Sequence, residues 1–236
     1  MEIIKSENYK VYKLDNSIFK IIFRNSENAL VDSLVRSKLI TGSSTDETYR
    51  TITFKAESVK SLKEYLNDYG KRVGKNTLLI SDVVKMIRSL VMQLIYLLER
   101  TKSTILGYTP EEIIVINDEK FAFLGSELVA KFDVETEEAM ISCPFLLTDF
   151  FFSPELLKIN ELPSYTNYKI SYFSFACLII YVMLGDDEFY REYLRHKQPS
   201  KILEELNNHP VKNTKIYWLL SRCLVEEPKN RSIIFI

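Results

Sequence analysis

Apolar residues along the chain change their spacing, and the spacing assigns the elements. From residue 9 to 23, apolar and polar residues alternate (YKVYKL, then SIFKIIF) around Asp15-Asn16, which predicts two strands joined by a turn. Residues 26–40 place Leu30 and Leu34 at helical spacing behind the serine cap Ser26, an amphipathic helix. GSSTDE at 42–47 reads as a polar loop, 49–54 as a strand, 59–67 as a short helix and 70–74 as a flexible stretch. The strongest helical signal covers 82–100, where Val83, Ile87, Leu90, Leu94 and Leu97 recur three or four apart behind Ser81. Residues 113–116 and 120–123 are short apolar strands around Asn117-Asp118, the composition of a tight hairpin turn. Beyond an acidic stretch at 133–138 the pattern predicts only helices, at 154–159, 170–184, 188–197, 201–207 and 215–224. A strand-rich first quarter and a mostly helical remainder make an α+β chain of two unequal lobes.

Composition narrows the function classes. At 236 residues with 46% hydrophobic content, the chain has ample material for a buried core. Lysine and arginine total 31 against 32 acidic residues, so no global charge draws it to nucleic acid or to an anionic membrane, and a partner must be recognised locally. Three cysteines, Cys143, Cys177 and Cys223, are an odd number without metal-ligand spacing and read as reduced thiols. The opening MEIIKSENYK lacks the apolar run of a signal peptide, and the most apolar stretch, 170–184, is broken by serines and tyrosines and shorter than the roughly 20 residues that span a bilayer. A cytoplasmic chain is therefore expected. Scarce glycine (6 residues) beside abundant Ile, Lys, Asn, Tyr and Phe fits an AT-rich genome, such as that of a large DNA virus or a eukaryotic parasite.

Between residues 106 and 231 four local words, in order, resemble the protein kinase family. LGYTPEEIIVINDEKFAFLG (106–125) resembles the catalytic loop, the following hairpin and the metal-binding motif, with Pro110-Glu111 at the family's Pro-Glu. FFFSPELL (150–157) is similar to the Ala-Pro-Glu motif, SYFSFACLIIYVMLGD (171–186) to the central helix of the lower lobe, and CLVEEPKNR (223–231) to the Cys-Leu-x-x-Asp-Pro-x-x-Arg ending. The resemblance implies one kinase-like domain over 1–236, with a reduced, strand-rich N-lobe at 1–66 and a helical C-lobe at 67–236.

Phosphoryl transfer in that family needs a base, metal ligands and a lysine on the phosphates. Under the resemblance Gly107 stands in place of the base and Thr109 where a lysine steadies the phosphate. Glu112 stands at the metal-holding asparagine, and Phe123, in Phe123-Leu124-Gly125, replaces the main magnesium ligand. A phenyl ring offers no oxygen to a hard cation. No glycine precedes Gly42 to form a phosphate-cradling loop. Lys20 is the candidate phosphate-contacting lysine, with Glu27 or Asp32 as its partner; the alternative is a solvated lysine on a polar strand face. Ser171 replaces the aspartate by which the central helix holds the catalytic loop, and the resemblance implies an ion pair between Glu155 and Arg231.

The other candidates are few. His196 and His209 have no ligand or nucleophile at useful spacing. Glu111 and Glu112, as neighbours, are expected on opposite faces. Phe145, Phe150, Phe151 and Phe152 cluster where a kinase binds its peptide; some must be core, and any exposed together would form an interface patch beside the acidic Glu135, Glu137 and Glu138. The expected function is a pseudokinase without catalytic residues, metal or cofactor, binding a protein partner such as an active kinase or a larger assembly, as scaffold or allosteric regulator. The alternative is a divergent metal-dependent phosphotransferase or nucleotidyltransferase recruiting Glu111, Glu112 or Asp118.

Overall fold

The computed structural model describes residues 1–74, 77–142, 152–184 and 199–233. They form helices and antiparallel strands in two compact units, Met1–Ser103 with Pro110–Val129, and Thr104–Thr109 with Ala130–Ile236. This division differs from the expected lobes at 1–66 and 67–236, because the long helix of residues 80–96 packs on the strands of the first unit.

In the first unit, β1 (Glu2–Lys5), β2 (Tyr9–Asp15), β3 (Ile18–Phe23), β4 (Thr41–Thr45) and β5 (Thr51–Lys55) make an antiparallel sheet ordered β1-β2-β3-β5-β4. Register sets Tyr9 opposite Phe23, Val11 opposite Ile21, Ile21 opposite Ile52 and Phe19 opposite Phe54, so the alternation in sequence becomes one buried apolar face. Residues 42–47, expected as a loop, mostly belong to β4. Gly42 at φ 58 and a register shift between Thr41 and Ser44 break the alternation, and the exposed edge strand carries no apolar signal.

Helix α1 (Asn28–Arg36) follows β3 and buries Leu30, Val31, Ser33 and Leu34; its N-cap is Glu27, not Ser26. β6 (Val59–Ser61) precedes α2 (Leu62–Val73), which begins at a Ser61–Glu64 capping box, runs through Gly70 and ends at Gly74, φ 76. The expected helix at 59–67 thus starts later and continues through the stretch expected to be flexible. Helix α3 (Ile80–Tyr96) starts after Leu79, not Ser81, and widens into a π-helical turn, Leu97–Thr101. Next come β7 (Ser103–Ile105), β8 (Ile113–Ile116), β9 (Lys120–Phe123) and β10 (Val129–Lys131). β8 pairs with both β6 and β9; the β8–β9 turn puts Asn117 and Asp118 at φ 55 and 54, and the Asn117 side-chain oxygen accepts the Glu57 and Ser58 N–H groups at 2.7 and 3.2 Å.

In the second unit, β11 (Glu138–Ile141) and β12 (Ser164–Asn167) pair antiparallel where only helices were expected around them; each is four residues long, β11 too short for its alternation to be read and β12 too polar to show one. The helices are α4 (Pro154–Leu157), α5 (Ile170–Leu184), α6 (Pro199–Asn208) and α7 (Lys215–Cys223). α5 is apolar on nearly every side and buried accordingly. Leu106, Ile141, Phe152, Leu156 and Ile170 make one core cluster. Cys177 and Cys223 are buried free thiols, and burial pushes the Cys223 thiol up to about 12. Cys143, His196 and the helix expected at 188–197 lie outside the described residues. His209 is partly buried, and burial holds its imidazole below the usual value. Among the described residues, no helix is long and apolar enough to cross a membrane.

Candidate functional site

The 3-10 turn Pro110–Glu112 enters β8 with its two carboxylates on opposite sides, Glu111 exposed and Glu112 buried. The short turn between β1 and β2 closes over Glu112: Ser6 Oγ donates to Oε1 at 2.7 Å and Asn8 Nδ2 donates to the same oxygen at 3.3 Å. Tyr9 Oη donates to the Glu111 carbonyl at 2.9 Å, and the Leu124 N–H donates to the Glu112 carbonyl at 2.8 Å. The second carboxyl oxygen, Oε2, and the Asn8 Oδ1 are both buried without a hydrogen-bond partner. Burial raises the Glu112 pKa above the ordinary carboxylate value; hydrogen bonds from Ser6 and Asn8 oppose the rise, and Glu127 and Glu111 add to it.

Phe123 and Gly125 complete this neighbourhood. The Phe123 ring has no solvent exposure. A Cβ on Gly125 would lie 2.7 Å from Phe123 Cζ and 3.0 Å from Glu112 Cγ, so the glycine is required by close approach; its φ of −74 is open to any residue. Gly125→Ala is therefore expected to destabilise by about 1–3 kcal/mol through overpacking. Urea denaturation checks this; an unchanged midpoint would mean the ring moves freely.

The backbone of Phe123 is held by Gln93 of α3, fully buried on that helix's apolar face. Gln93 Nε2 donates to the Phe123 carbonyl at 2.9 Å and to Ser33 Oγ at 3.1 Å, and the Phe123 N–H donates to Gln93 Oε1 at 2.9 Å. Sequence reasoning missed this clamp. Its signal was a polar residue at i+3 from Leu90 on the apolar stripe, where a buried amide must find partners.

Lys20 lies on the face of β3 opposite the core. Strand alternation buries Phe19, Ile21 and Phe23 on one face of β3 and leaves Lys20 half-buried on the other. Among the described residues no ion pair joins it to Glu27 or Asp32. Burial raises the Glu27 pKa, and the neighbouring Ser126 acts to lower it. A cleft of about 470 Å³ in the same unit is lined by Ile3, Lys13, Phe19, Lys60, Asp68 and Lys71. Its cations already have partners: Lys60 lies 3.2 Å from Asp68, Lys71 4.0 Å from Asp68, and Lys13 stands over the Phe19 ring.

In the second unit, Gly107 and Thr109 are buried. Ser171 is turned to the Tyr168 carbonyl at 3.1 Å, and it is Ser174, one turn along α5, that accepts the Tyr108 N–H at 2.8 Å. The segment at Tyr108 is thus tied to α5 through Ser174, a residue the sequence reading passed over. Glu155 and Arg231 form a two-pronged ion pair, Nη2 to Oε1 at 2.7 Å and Nη1 to Oε2 at 3.1 Å. Arg231 also donates to the carbonyls of Val225 and Glu226 and lies over the Phe173 ring. Phe152 has no exposed surface and sits in the core cluster, so it offers nothing to a partner; Phe145, Phe150 and Phe151 lie outside the described residues.

Chemically, the first-unit neighbourhood is a closed one. Among the described residues no three His, Cys, Asp or Glu side chains gather where they would hold a metal ion. Comparison with known proteins finds no matching family model and no matching curated relative.

Proposed function

We propose that the chain is a catalytically inactive, kinase-like protein that works by binding another protein inside the cell, as scaffold or allosteric regulator of an active kinase or a larger assembly. The observation that carries this reading is Glu112. At the position the resemblance assigns to a metal-holding asparagine, its carboxyl is buried and engaged by Ser6 and Asn8. Phe123, at the assigned magnesium position, presents carbon and hydrogen. The glycine-free turn above them leaves no backbone cradle for phosphates. Further support comes from the order of elements, a sheet with one helix followed by a long helix, a hairpin and a helical tail, and from the Glu155–Arg231 pair.

The reading predicts that magnesium with ATP shifts the melting temperature no more than magnesium alone. A ligand at a hundred times its dissociation constant would add about 2.7 kcal/mol, well within reach of a thermal-shift measurement. Magnesium-dependent stabilisation by ATP, with labelled phosphate transferred to any protein, would replace the binding module with the divergent phosphotransferase.

A further inference from the structure

We infer that Glu112 carries a proton in the folded protein, and that this proton closes a cyclic acid–amide pair with Asn8, latching the Ser6–Asn8 turn onto the Pro110–Glu112 segment until the pH rises. The inference goes beyond the proposed function and stands whether or not the chain binds a partner.

Asn8 Nδ2 donates to one Glu112 oxygen, which in the planar acid–amide arrangement brings the amide oxygen beside the other carboxyl oxygen. Those two remaining oxygens, Asn8 Oδ1 and Glu112 Oε2, are the ones buried without partners. With Glu112 ionised both are acceptors, and neither has a donor. A single hydrogen on Oε2, donated to Oδ1, satisfies both. Ser6 Oγ continues to donate to Oε1 in either state.

The surroundings favour the neutral acid. On its own segment Glu111 is exposed, and Glu127, beyond Gly125, adds negative potential while Arg24 lies 3.8 Å from it. From the turn, Lys5 and Glu7 are exposed. From β2, Tyr9 gives its hydroxyl to the Glu111 carbonyl; from β6, Lys60 is engaged with Asp68 and Asp118; from α2, Glu64 is held by the Ser61 cap. Among the described residues no cation is hydrogen-bonded or ion-paired to Glu112, and burial acts in the same direction.

The sign of the pH effect follows. The folded protein holds this proton above the ordinary carboxylate value of 4.5, where the unfolded chain has released it, so stability contributed by the latch is present at low pH and is lost as pH rises through the folded value. Glu112→Gln supplies a permanent N–H in place of the acid O–H. Urea denaturation of both proteins from about pH 5 to about pH 9 is the test. The wild-type folded-to-unfolded ratio, divided by that of E112Q, is expected to fall tenfold per pH unit between the unfolded and folded values, then level off. On the wild type alone, the Glu112 side-chain carboxyl carbon should titrate by NMR above the other glutamates, and the Ser6–Asn8 amides should exchange faster once it ionises. A carbon already ionised at the ordinary value would overturn the inference. So would magnesium or calcium stabilising the wild type but not E112Q, since a cation would then be what joins the two oxygens.

Discussion

Glu155→Ala is expected to lower the unfolding free energy by about 3–5 kcal/mol, because it strands a charge inside the second unit. The Arg231 side chain is 0% exposed and Glu155 25% exposed, so the two ends of the pair are unequal. Without its carboxylate, Arg231 keeps the carbonyls of Val225 and Glu226 but nothing that balances its charge. Arg231→Met should cost less, since the stranded carboxylate reaches water and the methionine fills space against Phe173. The double variant Glu155→Leu/Arg231→Met should recover much of the loss, because replacing a buried pair by apolar groups is often neutral. Chemical denaturation of the four proteins closes the cycle. A loss below about 1 kcal/mol for Glu155→Ala would reduce the pair to a surface contact.

Gln93→Leu should be the most damaging change in the first unit. The glutamine satisfies the N–H and the carbonyl of Phe123 and also reaches Ser33. Leucine matches it in size but offers neither donor nor acceptor. Each buried backbone group left without a partner costs about 1–3 kcal/mol, so a loss of roughly 2–6 kcal/mol is expected. Gln93→Glu should also be poor, because the Phe123 carbonyl would face a second acceptor. Denaturation midpoints check the size, and amide exchange at Phe123 checks the cause. A leucine variant as stable as the wild type would show that β9 does not need the clamp.

Much of the fold was legible wherever one face of an element is buried. The alternation at residues 9–23 marked strands with a core side, the apolar runs at 113–116 and 120–123 around Asn117-Asp118 marked a buried hairpin, and 170–184 read as a helix apolar on every side. What escaped were strands that give a weak or brief signal: exposed β4, interrupted at Gly42, and β11 and β12, each only four residues long. The serines expected to cap α1 and α3 sit beside the helix starts but cap neither. At the site, the substitutions at Glu112 and Phe123 were visible as residue identities. Their partners were not. Ser6 and Asn8 are 106 and 104 residues from Glu112, Gln93 is 30 from Phe123, and Ser174 is 66 from Tyr108. Local spacing carries no information about such pairs, and a buried polar side chain announces only that it needs one.

The hairpin tip at Asn117 is subject to two demands at once. Its left-handed backbone is one that glycine adopts freely, so conformation alone would welcome glycine there. Its side-chain oxygen, however, gathers two N–H groups from residues 57 and 58. Glycine would keep the bend and release that segment, while aspartate would keep the acceptor but set a new charge against Asp118. An exposed turn residue, usually the freest to drift, is here confined to one amino acid.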